Sequence, residues 1–157
     1  MLLGFAGLAL AGDLRVAPTR LDFSPTDRVQ ELIVANPSAQ PILVEIDALD
    51  WSQNAAGRQL HPSDVLLVTP PIVQIPAQDE VIVRVGFRQP KPPSCEQSFR
   101  LWVTEVPTQQ AAGGPVQLRS RMSLPVFRRG QMECPPRLQW QATAEQLRLY
   151  NTGGQHL

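Results

Sequence analysis

Few side chains in this chain have the type and spacing for bond-making chemistry. Cys95 and Cys134 are the only cysteines, His61 and His156 the only histidines, and the four do not form a ligand cluster of metal-site spacing. His61 sits in a polar stretch beside Pro62 and His156 near the end of the sequence, neither beside a nucleophile. The chain has no Gly-x-Ser-x-Gly, no His-Glu-x-x-His and no Gly-x-x-x-x-Gly-Lys phosphate loop, so neither catalysis nor a cofactor is expected. What stands out is non-covalent chemistry. Arg100 shares an alternating strand face with Trp102 and Val106, and a charge on a mostly apolar strand face calls for a partner. Val116, Leu118, Met122, Leu124 and Val126 form an apolar row at period two, broken by Ser120.

These residues sit on two alternating runs, Ser98 to Pro107 and Val116 to Phe127, separated by a Gly-containing turn, which predicts a hairpin. Its second strand is longer than strands usually are. An apolar edge of that length is an aggregation hazard, and one use for it is donation to another chain. An ordinary sandwich edge is the alternative.

Five further strands are predicted upstream: Leu14 to Phe23, interrupted by Pro18, then Val29 to Ala35, Ile42 to Trp51, Val65 to Val68 and Glu80 to Phe87. Residues 53–64 read as a polar loop with Gly57, and Pro70-Pro71 as a stop. In Glu80 to Phe87, Val81, Val83, Val85 and Phe87 face inward and Arg84 outward. Seven strands with turn signals between them and no helix-period run predict an all-β, immunoglobulin-like sandwich, spanning residues 13–127. A linker follows at 128–136. Two short strands, Leu138 to Gln141 and Gln146 to Asn151, then open an incomplete second β-domain over 137–157.

Fourteen basic and fourteen acidic residues cancel, which argues against nucleic-acid binding. Sixteen prolines among 157 residues fit a β-protein with many edges and turns. Residues 1–12 are apolar, too short to span a bilayer, and end in Ala9-Leu10-Ala11 ahead of Asp13, which reads as the back half of a secretory signal. In an exported chain Cys95 and Cys134 would pair, since they flank the two strands of the hairpin; in a reducing compartment they would stay free thiols.

The ordered series Leu14-Arg-Val-Ala-Pro-Thr-Arg-Leu-Asp-Phe23, Leu67-Val-Thr-Pro-Pro71, Val83-Arg-Val85, Arg100-Leu-Trp-Val-Thr-Glu-Val-Pro107 and Arg121-Met-Ser-Leu-Pro-Val-Phe127 resembles the N-terminal domain of periplasmic pilus chaperones. The Arg-Leu-Trp-Val and Ser-Leu-Pro-Val-Phe patterns resemble its archaic branch. The resemblance implies a chaperone that acts in the periplasm, uses no nucleotide, and has pilin-type subunits and an outer-membrane usher as partners. It implies donor-strand complementation, in which the last strand of the domain fills the groove of an incomplete subunit, with Val116, Leu118 and Met122 inserted, Ser120 a weak polar member and Leu124 next in the row. It further implies that Arg20 grips the subunit's terminal carboxylate. The second basic anchor of the family would fall at Ser123, which leaves Arg100 and Arg121 as substitutes. Glu96 matches an acidic residue that bridges the two domains in relatives, with Phe127 in its partner's place and Arg128 beside it. Alternative readings are a peptide-binding interaction domain of the major-sperm-protein type and a chaperone fragment without activity.

Overall fold

The computed structural model describes residues 14–54, 57–106 and 120–156, and among these there is no helix. Twelve strands form: β1 (Arg15–Ala17), β2 (Leu21–Phe23), β3 (Val29–Asn36), β4 (Ile42–Asn54), β5 (Gly57–Pro62), β6 (Leu66–Thr69), β7 (Ile72–Ile75), β8 (Asp79–Phe87), β9 (Gln97–Val106), β10 (Arg121–Arg128), β11 (Leu138–Ala142) and β12 (Leu147–Asn151). Two sheets make the sandwich. One runs β1-β3-β8-β6, the other β2-β10-β9-β4-β5 with β7 also on β4. β11 and β12 form a separate antiparallel hairpin.

Alternation supplies the core. Leu32 and Val34 on β3 and Val83 and Val85 on β8 face Val44 and Ile46 on β4, Phe99, Leu101 and Val103 on β9, and Leu124 and Val126 on β10. Phe23, Phe87 and Phe99 extend it, with ring centroids 4.8 Å and 5.6 Å apart along the series.

Three features differ from the expected strands. The first strand does not merely pause at Pro18: β1 joins β3 in one sheet and β2 runs parallel to β10 in the other, so the chain changes sheets there. The stretch read as a polar loop contains β5, whose residues pair with Leu49 to Asn54 beyond the edge of the core, where polar side chains are tolerated on both faces. Ile72 to Ile75, hidden behind Pro70-Pro71, pairs with Ile42 to Glu45.

Asn36 is 1% exposed and ties two loops together. Its Nδ2 donates to the carbonyls of Gln40 (2.8 Å), Ile75 (3.1 Å) and Pro76 (2.8 Å), and its Oδ1 accepts from the Ser38 N–H (3.0 Å) and Oγ (2.6 Å). Deleting it strands several backbone groups away from water. Asn36→Ala is therefore expected to lower the unfolding free energy by about 2–3 kcal/mol in urea titrations, whereas exposed Glu80→Ala stays within about 0.5 kcal/mol.

Candidate functional site

The outer face of the larger sheet carries all three candidate arginines and brings two of them close together. Pro125 on β10 lies opposite Arg100 on β9, which lies opposite Leu49 on β4. Val126 pairs with Leu21, so the preceding Arg20 flanks Pro125 from the other side. Arg20 and Arg100 thus stand two strand spacings apart, about 10 Å at the backbone. Arg121 shares this face but sits four residues further along β10, about 13 Å away.

Each arginine stacks on an aromatic ring, with Cζ 4.7 Å from the Phe127 centroid for Arg20, 4.1 Å from Trp51 for Arg100, and 4.6 Å from Trp102 for Arg121. Their hydrogen bonding differs. Arg20 donates Nε and Nη2 to the two carboxylate oxygens of Asp22 at 2.6 Å and 2.7 Å, filling its fork. Arg121 donates Nε to Thr104 Oγ1 at 3.1 Å. The Nε of Arg100 is buried and has no hydrogen-bond partner among the described residues, and no acid among them pairs with its guanidinium. Burial first, then the nearby Arg58, pulls its pKa below the ordinary value. A guanidinium stays charged regardless, so this is a cation lacking an anion.

The apolar row divides. Val116 and Leu118 lie outside the described residues. The carbonyl of Ser120 accepts from the Glu105 N–H at 3.0 Å. Met122 is half-buried against the core, and Leu124, 3% exposed, is wholly inside it. With Ser120 bonded to β9, antiparallel alternation turns the backbone groups of Arg121, Ser123 and Pro125 the other way. β2 meets β10 only at Val126 to Arg128, which leaves Arg121 to Pro125 an open edge among the described residues. Pro125 sits where its missing N–H costs no bond to β9.

Cys95 and Cys134 are disulfide-bonded, with Cα atoms 5.6 Å apart. Gly154 packs on that bridge so closely that a Cβ would lie 2.8 Å from Cys134 Cβ. Beyond it His156 reaches Glu96, its ring Nδ1 2.6 Å from Oε1, and stacks on Phe127 with centroids 3.5 Å apart. Arg128, next to Phe127 in sequence, points to the inner face, where it stacks on Phe87 and donates to the carbonyls of Gln89 and Lys91. A cleft of about 290 Å³ separates the sheet from the last residues, lined by Trp51, Glu96, Ser98, Gly154 and His156. Sequence reasoning had no role for Asp22 or His156. Asp22 could have been found, since it lies two residues from Arg20 on one strand face; His156, 136 positions away from Arg20, could not.

Residues 13–132 match the family model described as pili and flagellar-assembly chaperone, PapD N-terminal domain. The chain belongs to this pilus chaperone family. No curated protein sequence matches it. Solved structures of similar fold include a chain of the CsuC–CsuE chaperone–tip adhesion subunit pre-assembly complex from the archaic chaperone–usher Csu pili of Acinetobacter baumannii, at 21% identity and TM-score 0.75, covering 90% of this chain and 77% of that one. The Salmonella enterica SafA pilin–SafB chaperone complex gives 19%, 0.68, 89% and 68%. The E. coli chaperone DraB gives 22%, 0.65, 87% and 66%. The chain thus spans two thirds to three quarters of these structures, and at such identity the likeness concerns the immunoglobulin-like chaperone fold.

In this family member the Asp22 carboxyl is held below the ordinary carboxylate range, chiefly by its hydrogen bonds from Arg20. A depressed folded pKa contributes stability that is present above the unfolded pKa and lost as pH falls through the folded one. Both side chains are over one third exposed, so the contribution is small. An NMR titration of the carboxyl carbon is expected to show an Asp22 midpoint below that of an unpaired aspartate, and Arg20→Ala is expected to raise it.

Proposed function

We propose that this chain acts in the periplasm as a chaperone for pilus or fimbrial subunits. In this reading it lends the open edge of β10, extended by the apolar row at Val116 and Leu118, to a subunit whose own sandwich lacks a strand. Main-chain bonds from Arg121 and Ser123 would give register, and Val116, Leu118 and Met122 would fill the groove. Leu124, committed to the chaperone's own core, would mark where the donated segment begins. The observation that carries this reading is the short reach of β2, which leaves β10 open from Arg121 to Pro125 among the described residues.

The subunit's terminal carboxylate would then be held on the outer face of the same sheet. Arg100 is better suited to this than Arg20, because Asp22 already fills the fork of Arg20. Arg121, about 13 Å along the strand, would meet another part of the subunit. Delivery to an outer-membrane usher would follow from the same role. The binding energy would come from completing the subunit's fold, without ATP.

Co-expression in a periplasm with a pilin-type subunit lacking its donor extension is expected to yield a soluble 1:1 complex. Leu118→Glu should abolish it by placing a charge in an apolar groove. Arg100→Ala and Arg100→Lys should both weaken it, by about tenfold or more, since lysine keeps the charge but loses the bidentate fork. Undiminished complexes from Leu118→Glu and Arg100→Ala would refute the reading.

A further inference from the structure

We propose that His156 is a positioning residue for Arg20, passing the fixed geometry of buried Glu96 to the guanidinium on the outer sheet face. Arginine carries only donors, so the 2.7 Å contact between Arg20 Nη2 and His156 Nε2 requires a lone pair on that ring nitrogen. The ring proton must then be on Nδ1, which donates to Glu96 Oε1 at 2.6 Å, while the His156 backbone N–H donates to the same oxygen at 2.9 Å. One tautomer satisfies both contacts.

Three surroundings hold that ring. Its face lies on Phe127 at an interplanar angle of 7°, Glu96 is 4% exposed and cannot swing into solvent, and Gly154 seats the preceding chain on the Cys95–Cys134 bridge. Arg20 is consequently gripped from two sides, with Asp22 on Nε and Nη2 and His156 on the second Nη2 hydrogen, its plane resting on the same Phe127 ring. Only the Nη1 hydrogens remain for an incoming carboxylate. The segment after β12 therefore sets both where Arg20 sits and how much of it a partner can use. The binding consequence rests on the carboxylate-anchoring reading given above, with the Nη1 edge of Arg20 as a second contact beside Arg100; the geometry does not.

The test uses the full chain and two probes: the ¹H–¹⁵N signals of the Arg20 Nη2 hydrogens, which meet His156 and Asp22, and binding of a short apolar-alternating peptide with a free C-terminal carboxylate against its C-terminal amide. In the native chain the Arg20 Nη2 signals should be protected from exchange. His156→Ala should lose that protection and change the acid-over-amide preference about tenfold, a loss on the scale of one charge-assisted hydrogen bond. His156→Asn keeps a donor near the Nδ1 position but has no acceptor at Nε2, so it should rescue thermal stability without restoring the Arg20 signal. An unchanged Arg20 signal in His156→Ala, or its full rescue by asparagine, would overturn the proposal. If the native chain shows no acid preference while His156→Ala still loses the Arg20 signal, the positioning stands and the anchoring reading falls.

Discussion

The hydrogen-bond asymmetry of β10 is the constraint on which the rest depends. Along one side β10 pairs with β9 from Arg121 to Arg128; along the other, β2 meets it for three residues only. The cause lies near the start of the chain. Pro18 cannot donate to a ladder, so the first strand splits there, β1 serving one sheet and β2 the other, and what remains of β2 is too short to cover β10. An open backbone edge in a sandwich is normally covered or blunted. Here Met122, Leu124 and Val126 tie the strand's inner face to the core at increasing depth, which fixes the register in which its edge is held.

The same alternation sorts charge. Neighbouring Phe127 and Arg128 point to opposite faces: the ring becomes the platform on which Arg20 and His156 stack, and the cation is buried against Phe87 and two loop carbonyls. On the outer face three arginines rest on three aromatic rings, an arrangement that fixes guanidinium planes while leaving edge N–H groups for hydrogen bonds. Arg100 alone of the three has a buried Nε without a partner among the described residues.

Much of this is legible in the sequence, because period-two alternation survives tertiary context. Val83 and Val85, or Phe99, Leu101 and Val103, read inward and are inward. β5 did not read as a strand because it hangs beyond the core, where no apolar face is required, and β7 was masked by the two prolines before it. The sheet change at Pro18 is a tertiary event that an interrupted strand pattern does not distinguish from a bulge. Among the candidate site residues, Arg100 could be picked out by type and strand face and Arg20 by the family resemblance, and the family of the chain by an ordered series of motifs. The partner of Glu96 could not, because contact between positions 96 and 156 depends on the disulfide and Gly154 folding the end of the chain back, and local spacing carries no trace of that.

Hydrogen–deuterium exchange at single-residue resolution on β10, with and without a pilin-type subunit lacking its donor extension, reads directly whether the open edge of β10 is the one that pairs with a subunit. The amides of Met122 and Leu124, bonded to β9, are expected to be protected throughout, while those of Arg121 and Ser123 exchange rapidly in the free chain and become protected in the complex. A complex in which Arg121 and Ser123 remain unprotected, with new protection on the four-stranded sheet instead, would contradict that pairing.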